Sequence, residues 1–238
     1  MVEYNFDKFI EEAKKISIVF TDKQLEQFRI YYEMLVEKNK VMNLTGITEW
    51  DEVLEKHFLD SISLIRAIDL NQELRVIDMG TGAGFPGIPL KIAFPNLKVT
   101  LADSLNKRVI FLQEVIDALE LEGIEAIHGR AEDLARDKNY REQYDLSVSR
   151  AVANLSTLSE YCLPFVKIGG QFISYKSGEI EEEVTSSKSA VFLLGGKVKD
   201  IVKFELGESG RSFIIIDKLK GTPKTYPRKA GTPSKKPL

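Results

Sequence analysis

The segment that most restricts the fold begins at residue 74. Leu74-Arg75-Val76-Ile77-Asp78 is a short apolar run that stops at Met79-Gly80-Thr81-Gly82-Ala83-Gly84-Phe85-Pro86-Gly87. A buried strand ending in a glycine cluster must turn sharply, because glycine enters the left-handed region of backbone space without steric penalty. Pro86 suits a first helical turn, where an amide hydrogen would have no intrahelical partner. The pattern therefore predicts a helix over 86–94 and a strand–turn–helix unit of the nucleotide-binding kind.

The alternation continues downstream. Residues 99–103, 124–128, 144–149 and 171–175 read as strands, and Val109, Leu112, Ile116 and Leu119 form a helical face ending near Gly123. Strands alternating with helices imply parallel pairing, right-handed crossovers and a doubly wound, Rossmann-like α/β sheet. Residues 197–206 and 212–217 flank Gly207-Glu208-Ser209-Gly210 and predict an antiparallel hairpin. A parallel sheet closed by such a hairpin is the layout of the common methyltransferase fold.

Before residue 70 the chain reads as helical. Phe6, Phe9, Ile10 and Ala13 have helical spacing, and Thr21-Asp22-Lys23-Gln24 fits a capping box ahead of the stripe Leu25, Phe28, Tyr32, Leu35 and Val36. Thr48-Glu49-Trp50-Asp51 predicts another start, with a helix running towards Ile68. The expected organisation is a helical extension over 1–70, a catalytic domain over 71–218 and a tail over 219–238. Residues 218–238 hold seven basic side chains, no acid and four of the eight prolines. Such an end is expected to add little core and to lie along a phosphate backbone, or else to serve as a solubilising tail.

Composition removes several function classes. A lone cysteine, Cys162, and two histidines, His57 and His128, exclude a disulfide framework and disfavour zinc or other metal chemistry. No apolar run approaches the roughly 20 residues that span a bilayer, and the first residues lack a signal peptide's basic start and apolar run. A cytoplasmic protein is expected.

Gly82, Gly84 and Gly87 also satisfy G-x-G-x-x-G, so a dinucleotide site has to be weighed. Asp78 at the mouth of the first strand can hold the ammonium of a methionyl group, whereas it would repel a pyrophosphate. Asp103 ends the second strand, placed to accept ribose hydroxyls. Ala131-Glu132-Asp133 follows the third, where a backbone amide and a carboxylate can read an adenine edge. Three acids converging on one crevice favour S-adenosylmethionine over a nicotinamide. The only Y-x-x-x-K, Tyr4 to Lys8, lies upstream and badly placed for hydride transfer.

The methyl acceptor follows from what is missing. Cys162 sits in Tyr161-Cys162-Leu163-Pro164-Phe165 and reads as core rather than as a nucleophile. An exocyclic amine would call for a D/N-P-P-Y/F loop, and Ser149-Arg150-Ala151-Val152-Ala153-Asn154 stands there instead. N7 of guanine needs no general base, only extraction and alignment. Arginine usually grips guanine at O6 and N7 together, which would block the reaction, so Arg150 or Arg130 is expected on O6, a ring face or a phosphate. Lys107, Arg108 and Lys176 extend this basic rim.

At these residues the chain resembles the bacterial glucose-inhibited division protein B family. The likeness runs through Asn43-Leu44-Thr45, His57-Phe58-Leu59-Asp60-Ser61, the segment 78–90, and Asp103-Ser104-Leu105-Asn106-Lys107-Arg108. It continues through Arg130-Ala131-Glu132, Ser149-Arg150-Ala151, Tyr175-Lys176 and the ending Tyr226-Pro227-Arg228-Lys229-Ala230-Gly231-Thr232-Pro233. Asn106 departs from the family's usual glycine, a change that turn geometry tolerates. The resemblance implies a seven-stranded sheet and methylation of a guanine N7 in 16S ribosomal RNA, presented within small-subunit ribonucleoprotein to a monomeric enzyme. It implies cofactor contact at Gly80, Phe85, Ala131, Glu132 and Arg150, and RNA binding or catalysis by Lys107, Arg130, Arg150 and Lys176. His57 and Asp60 are expected to be a buried polar pair orienting the helical segment. An NAD-linked oxidoreductase and a non-catalytic ribosome-assembly factor stand as alternatives.

Overall fold

The computed structural model describes residues 4–150 and 153–238; Ala151 and Val152, part of the segment after the fourth strand, lie outside the described residues. Seven strands form one sheet: β1 (Arg75–Met79), β2 (Lys98–Asp103), β3 (Ile124–His128), β4 (Tyr144–Arg150), β5 (Val166–Ser177), β6 (Gly196–Leu206) and β7 (Ser209–Lys218). Their order is β3-β2-β1-β4-β5-β7-β6, with β1 to β5 parallel and β7 antiparallel to both neighbours. The seven-stranded methyltransferase sheet with its terminal hairpin is thus present. Strand order reverses between β1 and β4, and that reversal opens a crevice at the carboxyl ends of the strands.

The period-two pattern of the strands sends side chains to two cores. Val76, Val99, Leu101, Val148 and Ile173 face one way, and Ile77, Ala102, Phe172 and Ile214 the other. The first face is covered by α1 (Asp7–Lys15) and α2 (Asp22–Met42), by the helical pieces up to Arg66, and by α5 (Gly87–Ala93) and α6 (Asn106–Ala118). The helical N-terminal region therefore shares the sheet's core and is not a separate unit. Its capping box is formed: the Gln24 amide donates to Thr21 Oγ1 at 3.3 Å and the Thr21 amide to Gln24 Oε1 at 2.8 Å.

The helix expected to run from Thr48 towards Ile68 is broken into pieces. An α turn (α3, Trp50–Val53) passes into a π segment over Leu54–Leu59, a short α4 (Asp60–Ile62) and a 3₁₀ turn over Ser63–Arg66. Such π segments recur at functional sites, because the extra residue per turn re-aims a side chain. Here the segment carries His57.

The other face is covered by α7 (Ala131–Leu134), α8 (Leu155–Cys162) and α9 (Glu181–Leu193). The spacing did not predict α8 or α9. In α8 nearly every residue is buried, so no polar face marks a period; α9 buries only Val184, Ser187, Ala190 and Val191, a narrow seam of small residues.

The basic end is the main correction. Instead of a free tail it is a folded arm, ending in the short helix α10 (Thr232–Lys235), packed across the second face. Arg228 closes on the fully buried Glu160, with Nη2 at 2.6 Å from Oε2 and Nε at 3.0 Å from Oε1. Arg141 donates to the carbonyls of Thr222 (2.7 Å) and Tyr226 (3.0 Å), and Thr157 Oγ1 to that of Pro233 (3.1 Å). Lys218 is also buried, with Nζ 2.6 Å from the Leu163 carbonyl, and burial lowers its pKa to about 8. The expectation that this end adds little core fails because its carbonyls and one arginine complete buried polar groups of the body.

Candidate active site

A cleft of about 670 Å³ lies at the carboxyl ends of β1, β2, β3 and β4, within the usual range for ligand sites. Its floor is the glycine turn after β1. Gly80 (φ 73°) and Gly82 (φ 64°) line it in left-handed conformations, and a Cβ on Gly82 would meet nothing within 4 Å. Gly84 and Gly87 do not line the cleft. A Cβ on Gly84 would stand 2.5 Å from Ile88 Cδ1 and 2.7 Å from Tyr31 Oη; one on Gly87 would stand 2.3 Å from Leu101 Cδ2. These two glycines let the turn press against α2 and β2, so only part of the motif faces a ligand.

Apart from that of Ala83, the amides of the turn are committed to protein acceptors. Those of Gly80 and Thr81 donate to the Ala102 carbonyl, those of Gly84 and Phe85 to the Thr81 carbonyl, that of Gly82 to Asp103 and that of Gly87 to Asp78. A pyrophosphate cradle needs such amides to converge on the ligand, and here they point into the protein.

Asp78 lies beneath the turn with no solvent exposure and does not line the cleft. Its Oδ2 accepts from Thr81 Oγ1 at 2.6 Å and the Gly87 amide at 2.8 Å, while Oδ1 has no partner among the described residues. Burial pushes its pKa up to about 6, against the opposing pull of those two donors. Asp103 does line the cleft. Oδ2 accepts from the Gly82 amide at 3.0 Å and Oδ1 from the Leu105 amide at 2.9 Å. Arg108, also on the cleft wall, brings Nη1 to 3.4 Å from Oδ2, a long third contact; with about four acceptor sites on a carboxylate, room is left on Oδ1 for a hydroxyl donor. Glu132, at 5% exposure, accepts the Gly231 amide on Oε1 at 2.9 Å and lines the cleft beside Ala131.

Arg150, at the end of β4, is clamped. Nη1 reaches Asp60 Oδ2 at 2.7 Å, Nη2 lies 3.3 Å from His57 Nδ1, and the guanidinium stands 5.0 Å above the Phe85 ring centroid. Arg211 Nε donates to the other Asp60 oxygen at 3.1 Å. His57 stacks on Phe85 with centroids 4.5 Å apart, and its Nε2 is 2.8 Å from Thr45 Oγ1. Since arginine can only donate, Nδ1 is the acceptor and Nε2 carries the proton towards Thr45. Burial, then the Arg150 charge, lowers the His57 pKa to about 4, so the ring is neutral at physiological pH. His57 and Asp60 thus converge on Arg150 rather than serving only the helical segment.

The remaining cations divide. Arg130 is exposed on the cleft wall; Lys107 is exposed at the start of α6, outside the lining. Lys176 also lies outside it, donating to the Ala153 carbonyl (3.0 Å) and Glu183 Oε1 (2.7 Å), and so ties Ala153 to α9. Cys162 is fully buried and its thiol pKa is pushed up by burial, which fits the core reading. Among the described residues no cluster of His, Cys, Asp or Glu is arranged to hold a metal. Residue spacing gave no sign of Tyr161, Gly231 and Ser234 on the cleft wall, all brought there by long-range packing.

The residues present suit a nucleoside cofactor with a cationic amino-acid end. The open space over Gly82 and two carboxylates at the ends of β2 and β3 form an acceptor-rich site, whereas Asp78, expected to hold the amino-acid end, is buried behind the glycine turn instead.

Comparison with known proteins agrees. The profile of the GidB family, described as rRNA small subunit methyltransferase G, matches residues 24–213. The chain is 53% identical to the ribosomal RNA small subunit methyltransferase G of Lachnoclostridium phytofermentans over 97% of this chain and 96% of that protein. It is also 53% identical to the same-named protein of Staphylococcus carnosus, over 96% and 97%. Among solved structures, M. jannaschii TYW2 in complex with AdoMet superposes with a TM-score of 0.56 at 17% identity, covering 73% of this chain and 80% of that one, and shares the fold. With the profile spanning most of its length and relatives matched almost end to end, the chain belongs to the GidB family of small-subunit ribosomal RNA methyltransferases.

Proposed function

We propose that the cleft binds S-adenosylmethionine and that the protein methylates N7 of a guanine in 16S ribosomal RNA, acting as a cytoplasmic monomer on small-subunit ribonucleoprotein. The observation that carries the cofactor reading is the state of the glycine turn: its amides other than that of Ala83 are spent on protein acceptors, while two carboxylates, Asp103 and Glu132, face the cleft. Such a site favours an ammonium and hydroxyls and disfavours a pyrophosphate, which argues against the NAD alternative.

When bound, the cofactor supplies an electrophilic methyl on a sulfonium, which leaves as a neutral thioether once the nitrogen lone pair has attacked. The chain's residues then have positioning work. Asp103 accepts a ribose hydroxyl, and Glu132 with the Ala131 amide reads the adenine edge. Asp78 acts from behind the cleft, holding the glycine turn through Thr81 and Gly87.

Arg150 also lines the cleft, with Nη1 engaged by Asp60 and Nη2 by His57. With Nη1 and one Nη2 hydrogen engaged, the remaining N–H groups and positive field of Arg150 act on O6 or a phosphate, which leaves N7 free for the methyl. No general base is required, and the neutral His57 holds Arg150 in place without exchanging a proton. Arg130 on the cleft wall and the exposed Lys107 meet phosphates, and Lys176 holds the Ala153 carbonyl.

The test uses small subunits from a strain lacking the gene. Purified protein and methyl-labelled S-adenosylmethionine should place label on one guanine, revealed by borohydride and aniline cleavage, which cuts at N7-methylguanine. Unaltered ribosomal RNA methylation in the deletion strain, or binding of NAD with none of S-adenosylmethionine, overturns the reading.

A further inference from the structure

The C-terminal arm reaches the cleft. Gly231 and Ser234 line it on the same side as Arg130, Ala131 and Glu132, with Tyr161 of α8 beside them. The Gly231 amide donates to Glu132 Oε1 at 2.9 Å, and Gly231 holds φ at 80°, a conformation that glycine adopts freely. The arm is seated by groups that are themselves buried: Arg228 on Glu160, and Thr157 Oγ1 on the Pro233 carbonyl. Nothing in the glycine-turn chemistry requires this contact, and a tail whose only task was to meet RNA would have no reason to bond to a carboxylate in the cleft.

We infer that the arm is a wall of the cofactor site: Gly231 fixes the Glu132 carboxylate, and Ser234 closes the adenine end, so that residues 231–234 form a binding subsite for the nucleobase. The inference rests on the reading of the cleft as an S-adenosylmethionine site. One oxygen of Glu132 is consumed by Gly231, which leaves the other as an acceptor for the exocyclic amine of adenine. A carboxylate with one oxygen anchored keeps little rotamer freedom to lose on binding. Without the arm, Glu132 regains that freedom and the adenine end opens to water.

Two measurements on the full chain test it. Calorimetric titration of the wild type with S-adenosylmethionine comes first; absence of binding overturns the cofactor reading and the arm's role with it. Given wild-type binding, Ser234→Trp places a large ring on the cleft wall from an exposed position, where folding does not depend on it. Its affinity should fall about tenfold or more, equivalent to about 1.4 kcal/mol, with an unchanged melting temperature. The second measurement is hydrogen exchange in wild-type protein: amides of the 226–236 segment should slow on adding S-adenosylmethionine and stay unchanged on adding NAD. Wild-type affinity in Ser234→Trp, or unaltered exchange in the arm, overturns the inference while leaving the cofactor reading intact.

Discussion

The two ends of the cleft each rest on a carboxylate with no solvent exposure, but the two are satisfied by different means. Asp78, under the glycine turn, accepts from neutral donors three and nine residues further on, and one of its oxygens has no partner among the described residues. Glu160, under the arm, is closed by a guanidinium and a backbone amide, both from Arg228, 68 residues away. The first anchor shapes a local turn and holds its own proton more firmly than an exposed aspartate would. The second pins the end of the chain to the core by an ion pair. Loss of a neutral donor and loss of a buried countercharge differ several-fold in cost, so the arm should be the more fragile of the two.

The largest expected effect follows at Arg228. Replacing it with alanine strands the Glu160 charge and should lower the unfolding free energy by about 3–5 kcal/mol, measured by urea denaturation. Arg228→Lys should recover part of that loss through a single ammonium contact. A loss under about 1 kcal/mol for the alanine variant would mean that Glu160 tolerates isolation and that the two anchors do not differ in kind.

The glycine-turn anchor is tested through pH. Asp78 has its folded pKa raised from 3.8 to about 6, so its contribution to stability is complete at low pH and is lost as pH rises through that window. His57 is depressed from 6.5 to about 4, so its contribution is present above 6.5 and lost as pH falls towards 4. Across pH 4–6 the two oppose each other. Asp78→Asn removes one side of this balance. Its stability relative to wild type should rise by about 3 kcal/mol between about pH 3 and pH 7, at about 1.36 kcal/mol for each pH unit separating the folded and unfolded pKa values. A pH-independent difference would show that folding leaves the Asp78 pKa at its unfolded value, as it would if a donor to the second oxygen offset the cost of burial.

These anchors also show why one end of the site was legible in the sequence and the other was not. The strand before Asp78, the glycine run and the Thr21–Gln24 box are local, with cause and effect within a dozen residues. Asp103 and Glu132 followed from strand ends. Composition gave the wrong answer for the arm: seven basic residues and four prolines describe a tail until the groups that receive it are known, and the donors Arg136 and Thr157 and the carboxylates Glu160 and Glu132 lie 68 to 99 residues away. The π segment at His57 escaped because helical periodicity does not report an inserted residue. The clamp on Arg150 escaped for the same reason as the arm, since Asp60 and Arg150 meet across 90 positions. Gly84 and Gly87 were legible as glycines but not as packing glycines, because spacing does not show which side of a turn faces α2.

The smallest effect separates the arm's inward charges from its outward ones. Lys218 and Arg228 are turned into the protein, whereas Lys220, Lys224, Lys229, Lys235 and Lys236 are exposed. If the arm both walls the cleft and meets RNA, the two tasks belong to different side chains of one element. Lys235→Gln with Lys236→Gln should leave the urea midpoint unchanged. It should weaken RNA binding mainly at low salt and flatten the slope of log affinity against log salt by about 0.7 for each single-strand phosphate no longer neutralised. The decisive reading is the slope rather than the affinity at one salt concentration, because counterion release scales with the number of phosphates neutralised and a change in fold does not. An unchanged slope would assign the outward lysines to solubility alone. The arm would then be a structural and cofactor-facing element, and RNA attraction would fall to Arg130 and Lys107 on the rim.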